Sequence, residues 1–424
     1  MNLEKKFESA KNASLVMRSI DSLKKIELIK SVVDHVGKHS DKIISTNRIE
    51  CENAKKNGLT DSQIDRLFLD QQRIDAMMLA GRNVAELDDP VGEVLETFFG
   101  AKNIEIKKVR VPMGLVAVIY ENRPNVTLDA VCIALKSSNA VILRGSSSAH
   151  ETNTEIILAI KEGISAIGLD ENIVSFIDDP SHESAIALMQ AKGYVDVLIP
   201  RGGPSLINSI ETNATVPYVI DGAGNCHVYV DSKADISMAL DIVINSKTQR
   251  TSVCNACESL VVHNDIAQEF IPMIVDNLFE AGVLIHGDKK SCDIISECSE
   301  QAMGATGSLI LATEEDFAKE YLGLEISIIV VESLSDAIEH INKNSTGHTE
   351  SIVTSDLSNA QQFMNGIESA VVMHNTSTRF TDGERFGFGA EIGNSTQKLH
   401  ARGPMALKEL TTYQYRVSSN GETV

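Results

Sequence analysis

Two successive runs of apolar strands alternating with helices predict an α/β chain made of two doubly wound units. The first run places buried-type strands at Leu115–Tyr120, Ala140–Leu143, Ile173–Ile177 and Val195–Ile199, with helical stretches near 126–137, 150–167 and 182–191 between them. The second places strands at Val228–Val230, Leu260–Val262, Leu309–Leu311, Ile326–Val331, Ile352–Thr354 and Val371–His374, again with helices between. Strand–helix–strand alternation is the signature of a parallel sheet, which binds ligands at its carboxyl edge. Length agrees, since 424 residues are too many for one ordinary core and imply two or three domains.

In chain order, residues 1 to about 100 read as mainly helical, with polar faces and few strand-like runs. Ile104–Val111 is a mostly polar strand closed by Pro112, which suits an edge or a projecting hairpin. Val195–Ile199 runs into Pro200-Arg201-Gly202-Gly203-Pro204 and a helix over Ser205–Thr212. Glycines permit close backbone approach, Pro204 suits a first helical turn, and the free N–H groups of a helix start bind anions. The same stretch also reads as an ordinary Gly-Pro loop. Leu410–Val417 is strand-like and moderately exposed in pattern. No Gly-x-Gly-x-x-Gly follows a strand, so the usual dinucleotide fingerprint is missing.

Hydrophobic content of 43% and charged content of 23% are those of a soluble globular protein. No apolar run approaches the roughly 20 residues that span a bilayer, so no membrane is expected. The N-terminus lacks the apolar core of a secretory signal. Seven cysteines at irregular spacing argue against a disulfide scaffold and for a reducing cytosol. A formal charge of −21 excludes nucleic acid as a natural partner, because phosphate backbones attract basic surfaces.

Cys254 is the candidate nucleophile. A helix over Asp235–Ile244, with Asp235 as its cap, precedes it, and a strand over Ser259–His263 follows. The cysteine therefore falls in a turn, where a thiol is not needed for packing. Arg250 and Lys247 stand four and seven residues before it, and cations favour the thiolate. The plainer reading is two cations at a helix C-terminus beside an incidental cysteine. Cys254-Asn-Ala-Cys257 is formally C-x-x-C but precedes a strand, whereas the redox motif opens a helix in a small fold. No His/Cys cluster has metal spacing, so no metal is expected.

Five ordered segments carry a resemblance: Tyr120-Glu-Asn-Arg-Pro-Asn-Val-Thr127, Leu198-Ile-Pro-Arg-Gly-Gly203, the Lys247–Glu258 run, Ser377-Thr-Arg-Phe-Thr-Asp-Gly383 and Ser395-Thr-Gln-Lys-Leu-His-Ala-Arg-Gly-Pro404. Through them the chain, from about Ser14 to Tyr415, resembles the γ-glutamyl phosphate reductases, a branch of the aldehyde dehydrogenase superfamily. The resemblance implies an aldehyde-dehydrogenase-like fold: two doubly wound α/β domains with a small β oligomerisation arm. Residues 1–226 would form the NADP-binding domain, interrupted by an oligomerisation strand at 103–113. Residues 227–376 would form the catalytic domain, 377–403 a return segment to the cofactor domain, and 404–424 an oligomerisation tail. The implied reaction is NADPH-dependent reduction of L-glutamyl 5-phosphate to L-glutamate 5-semialdehyde in proline biosynthesis, through a thioacyl group on Cys254. The alternatives are an aldehyde dehydrogenase that oxidises and hydrolyses, or a non-catalytic NADP-binding protein of the same fold.

By the same resemblance Asn122 stands where the superfamily keeps an oxyanion donor, although the reductase branch often lacks it. Lys247, Arg250, Arg379 and Thr381 are the candidates for holding substrate phosphate or carboxylate. Arg144, Gly145 and Ser146 would lie beside the adenosine ribose, and the serine-rich loop they open also reads as plain solvated chain. Arg201, Gly202 and Gly203 would hold the cofactor phosphate, and Glu320 the nicotinamide ribose. Asp221 aligns loosely with the glutamate that activates water in oxidising relatives; being shorter, it fits a reductase. Acyl phosphate and NADPH are both anions, so a −21 chain must meet them with local basic clusters. The bases at 247–250, 379–385 and 398–402 are such clusters. A homo-oligomer, dimer or tetramer, and a contact with glutamate 5-kinase complete the expected partners.

Overall fold

The computed structural model describes residues 3–220, 222–298 and 309–424, and divides the chain into two compact units. One holds residues 1–221, 387–393 and 405–424; the other holds 222–386 and 394–404.

The first unit opens with five helices, α1 (Leu3–Met17), α2 (Ser22–Lys38), α3 (Ser40–Lys56), α4 (Asp61–Leu67) and α5 (Gln71–Glu86). Asp21 caps α2 by accepting from the Lys24 backbone N–H at 2.8 Å, and Leu28, Ile29, Val32, Val33 and Val36 form its buried stripe. That stripe meets α7 (His150–Ser165) where Gly163 lets the backbones approach: an added Cβ would lie 2.8 Å from the Ser31 carbonyl oxygen.

Strands follow. β1 (Val94–Phe99), β2 (Glu105–Pro112) and β16 (Thr411–Ser418) form an antiparallel sheet in the order β1-β2-β16. β1 lies in the stretch read as helical. Glu96 interrupts its apolar residues and its pattern is almost wholly exposed, so neither alternation nor a buried run marks it. β3 (Leu115–Tyr120), β4 (Ala140–Arg144), β5 (Val174–Phe176) and β6 (Val197–Arg201) form a parallel sheet in the order β5-β4-β3-β6. Every residue of β3 and β4 is buried, which is why they read as continuous apolar runs. Ile119 pairs with Arg144 and Tyr120 with Arg201, so the loops after β3, β4 and β6 leave the same carboxyl edge.

In the second unit seven parallel strands run in the order β10-β9-β11-β8-β7-β12-β13. They are β7 (Cys226–Val230), β8 (Cys257–His263), β9 (Leu284–Gly287), β10 (Leu309–Leu311), β11 (Glu325–Val331), β12 (Thr349–Val353) and β13 (Val371–His374). β9 was not legible, being four residues long with a histidine and a glycine at its end. Val228, Val230, Leu260, Val262, Ile326 and Ile328 supply the sheet's share of a core completed by Phe270, Ile271, Ile274 and Leu278 of α11 (Asn264–Glu280).

The expected domain limits move. The change of unit falls at 221/222 and not at 226/227, because residues 222–225 already bond within the second unit: Gly222 N–H to the Asn394 carbonyl, and Asn225 N–H to Thr346 Oγ1. Of the expected return segment 377–403, only 387–393 belongs to the first unit.

Candidate active site

Helix α10 (Ile236–Thr248) begins at Asp235, which accepts from the Met238 N–H at 2.9 Å. β8 begins at Cys257, and the turn between them carries Cys254, half-buried. The strand follows the turn, so the thiol stands at the amino edge of this sheet, opposite the edge that the doubly wound rule favours.

Three contacts fix the turn. A Cβ added to Gly224 would lie 1.5 Å from the Cys254 carbonyl oxygen, so the two backbones touch and no other residue fits. Cys226 Sγ donates to that same oxygen at 3.2 Å. Asn255 is gripped on both sides: its Nδ2 donates to the Thr381 carbonyl at 2.8 Å, and its own carbonyl accepts from Thr378 Oγ1 at 2.7 Å.

Lys247, expected to hold substrate, does not. It is fully buried and pairs at 2.6 Å with Glu258, also fully buried. The register of β7 on β8 jumps from Cys226/Cys257 to His227/Ser259, so Glu258 is the extra residue of a bulge that aims it at Lys247. Burial raises the Glu258 pKa to about 7, against the pull of Lys247. Thr381 is likewise no open ligand: it is buried, and its hydroxyl accepts from Thr349 Oγ1 at 2.8 Å.

Arg379 is buried, and its Nε donates to Gln249 Oε1 at 2.9 Å. Burial, then Arg385 and Arg250, lower its pKa, while Asp382 and Cys254 oppose them. Arg379 thus lies within electrostatic reach of the Cys254 thiol and of two further guanidinium groups, Arg385 and Arg250. Arg385 was legible only as the end of a basic run. The remaining described cysteines are poor thiolates. Burial pushes Cys257 up to about 12 and Cys226 and Cys132 well above their ordinary range; Cys51 and Cys292 are also raised.

In the first unit the shared carboxyl edge gathers Asn122, the expected oxyanion donor, and all the expected cofactor residues but Glu320. Asn122 sits at φ +45°. Its Oδ1 accepts from Ser148 Oγ and from Ser146 Oγ, which turns its amide N–H₂ away from both serines. Gly145 is packed tightly, since a Cβ there would lie 2.2 Å from Asn153 Nδ2. Arg144 departs from expectation. It is buried and donates to the carbonyls of Pro180 and Ser181 at 2.7 and 2.9 Å, which ties down a loop instead of presenting its fork to a phosphate. Arg201 ends β6 near Asp129, whose pKa burial raises to about 6 against the pull of Asn125 and Arg201.

Gly203 caps α9 (Pro204–Asn213) without a side chain, and its N–H is taken by Glu121 Oε2 at 3.0 Å. A Cβ at Gly202 would lie 2.6 Å from the same oxygen. The glycine pair therefore makes a cradle that accepts an anionic oxygen at a helix start, and the carboxylate stands in for one phosphate oxygen. The residues present fit a dinucleotide phosphate.

Glu320, in the second unit, accepts from the Gly224 N–H at 2.7 Å, and the Leu322 N–H two residues on donates to Glu258 at 3.3 Å. The loop expected to grip a ribose is thus tied to both sides of the turn that carries Cys254. Asp221 lies outside the described residues.

The aldehyde dehydrogenase family profile matches residues 1–325 and 312–415. A γ-glutamyl phosphate reductase of Clostridium novyi is 46% identical over 413 residues, 97% of this chain and 96% of that one. One of Thermobifida fusca is 46% identical over 420 residues, 99% and 98% of the two chains. The crystal structure of γ-glutamyl phosphate reductase from Thermotoga maritima, 42% identical, covers 100% of both chains with a TM-score of 0.95.

Proposed function

The chain belongs to the aldehyde dehydrogenase family, and from that premise we propose that it reduces L-glutamyl 5-phosphate to L-glutamate 5-semialdehyde with NADPH, releasing phosphate. The observation that carries the reading is the turn of Cys254: a half-buried thiol, fixed through its own carbonyl by Gly224 and Cys226, with the buried Arg379 guanidinium within electrostatic reach. A fixed thiol within reach of a fixed cation suits attack on an anionic acyl group.

The Cys254 thiolate adds to the acyl carbon of the substrate, the carbon–oxygen bond to phosphate breaks, and a thioester remains. Arg379 and Arg250 balance the charge of the departing phosphate, since guanidinium matches phosphate bidentately. NADPH, when bound, supplies the hydride that reduces the thioester. The resemblance gives Asn122 the role of oxyanion donor, and its oxygen, held by two serines, leaves the amide N–H₂ to donate. The carbon–sulfur bond of the resulting thiohemiacetal then breaks, the aldehyde leaves and the thiolate returns. Gly202, Gly203 and Arg201 would hold the cofactor phosphates, Gly145 and Ser146 the adenosine side, and Glu320 the ribose.

The test runs the reaction in reverse, from semialdehyde, NADP and phosphate. NADPH should form only when phosphate or arsenate is present, and Cys254→Ala should abolish turnover while NADPH binding survives. Steady NADPH formation without phosphate, with glutamate as product, would mean that water captures the thioester and that the chain is an oxidising relative. Substantial turnover by Cys254→Ala would remove the thiol from the mechanism.

A further inference from the structure

Glu121 follows β3 directly, and its backbone N–H donates to the Arg201 carbonyl at 2.9 Å, so the paired strands β3 and β6 deliver its side chain. The carboxylate then reaches the Gly203 N–H at 3.0 Å. Pro204 behind Gly203 has no N–H, and Gly203 brings no side chain, so Glu121 supplies the acceptor at the start of α9. Gly202 makes the room: a side chain there would collide with Oε2. The place that the sequence offers to a cofactor phosphate is thus filled by an anion of the chain itself.

A helix start stabilises a negative charge, but two anions within a few ångströms of one another repel. A phosphate bound at Gly202–Gly203 and the Glu121 carboxylate cannot both have the Gly203 N–H. Arg144 lies within electrostatic reach of Glu121, and its Nε–H is buried with no acceptor.

We propose that Glu121 is a tethered anion that competes with the dinucleotide phosphates for the start of α9, so that the cofactor binds only by displacing it. The inference rests on the reading that an NADP-type dinucleotide binds at Gly202–Gly203. Its consequence is a cofactor held less tightly than the cradle alone would hold it, which favours release after turnover. The glycines set where the phosphate goes, and Glu121 sets how firmly it stays.

The experiment titrates the full-length chain with two probes, NADPH, followed by dihydronicotinamide fluorescence, and adenosine 2′-monophosphate, which lacks the pyrophosphate, followed by calorimetry. Glu121→Gln keeps the shape and removes the charge; Glu121→Ala removes both. Each charge removed near a bound anion is worth roughly a few-fold to tenfold in affinity. Glu121→Gln should therefore bind NADPH about fivefold more tightly than the wild type, with no change for adenosine 2′-monophosphate. Unchanged or weaker NADPH binding by Glu121→Gln, at a wild-type melting temperature, overturns the inference. So does equal tightening for both probes, which would indicate a general effect of net charge. Should Glu121→Ala fail to fold, Glu121→Gln alone decides. If the wild type binds NADPH and makes it from semialdehyde and phosphate while Glu121→Gln gains nothing, only this inference falls. If the wild type binds no NADPH, the functional reading falls with it.

Discussion

At the scale of single residues, Gly224 decides whether the thiol is placed at all. Gly224→Ala must push apart two backbones that already touch at the Cys254 carbonyl, and a displacement of about 1 Å at a nucleophile costs on the order of a hundredfold in rate. Its kcat should fall by that much and the alkylation rate of Cys254 should change with it; a wild-type kcat would show that the turn relaxes freely. His340 carries a pH effect. Burial first, then the His227 charge, lower its pKa from an ordinary 6.5 to about 4, so the fold keeps it neutral. The stability this contributes is complete above pH 6.5 and is lost as pH falls through 4, at most about 3 kcal/mol. Urea midpoints at pH 7, 5.5 and 4.5 should fall less steeply for His340→Asn than for the wild type; parallel curves would assign acid lability elsewhere. The turn that carries Cys254 was legible in the sequence because a helix end, a cysteine and a strand start lie close together in the chain. Lys247 was misjudged because its partner Glu258 is brought to it by a bulge, and a bulge leaves no mark in composition. Glu121 was passed over because its bond to Gly203 spans two strands that are far apart in the chain.

At the scale of elements, the strands most plainly marked in the sequence are buried on both faces, such as β3 and the first four residues of β4, which are apolar without interruption. β1 escaped because an exposed strand of an arm has no core face to write a period into its residues. The joint between α10 and β8 is where element packing and chemistry meet. Lys247, in the last turn of α10, and Glu258, near the start of β8, close the loop that carries Arg250 and Cys254. Removing one partner leaves a buried charge uncompensated, which costs about 3–5 kcal/mol, whereas replacing both by apolar residues of similar size is often neutral. Lys247→Met should therefore lower Tm by many degrees, and Lys247→Met/Glu258→Leu should recover most of the loss. A double variant that melts as low as the single one would show that the pair is needed for more than compensation, for example through the Leu322 N–H that Glu258 also accepts.

At the scale of the molecule, a formal charge of −21 and an apolar arm pull in opposite directions. The sheet of β1, β2 and β16 exposes Val94, Phe98 and Phe99 on one edge strand and Tyr413, Tyr415 and Val417 on the other, each at least two-fifths accessible. Register puts Phe98, Tyr413, Tyr415 and Val417 on one face of this sheet, the kind of patch that soluble chains cover with a partner. A second copy of the same chain is the partner we propose, matching the expectation that 103–113 and 404–424 serve assembly. Two copies each carrying −21 repel, and salt screens that repulsion while leaving apolar burial intact or strengthened. The oligomer should therefore tighten as sodium chloride rises from about 0.05 to 0.5 M, where the Debye length shrinks from roughly 14 to 4 Å. Sedimentation velocity at micromolar protein checks it: the oligomer fraction should rise with salt, and Phe98→Ser/Val417→Ser should abolish the rise. An oligomer that dissociates as salt is added would mean that ion pairs, and not the aromatic face of the arm, hold the copies together.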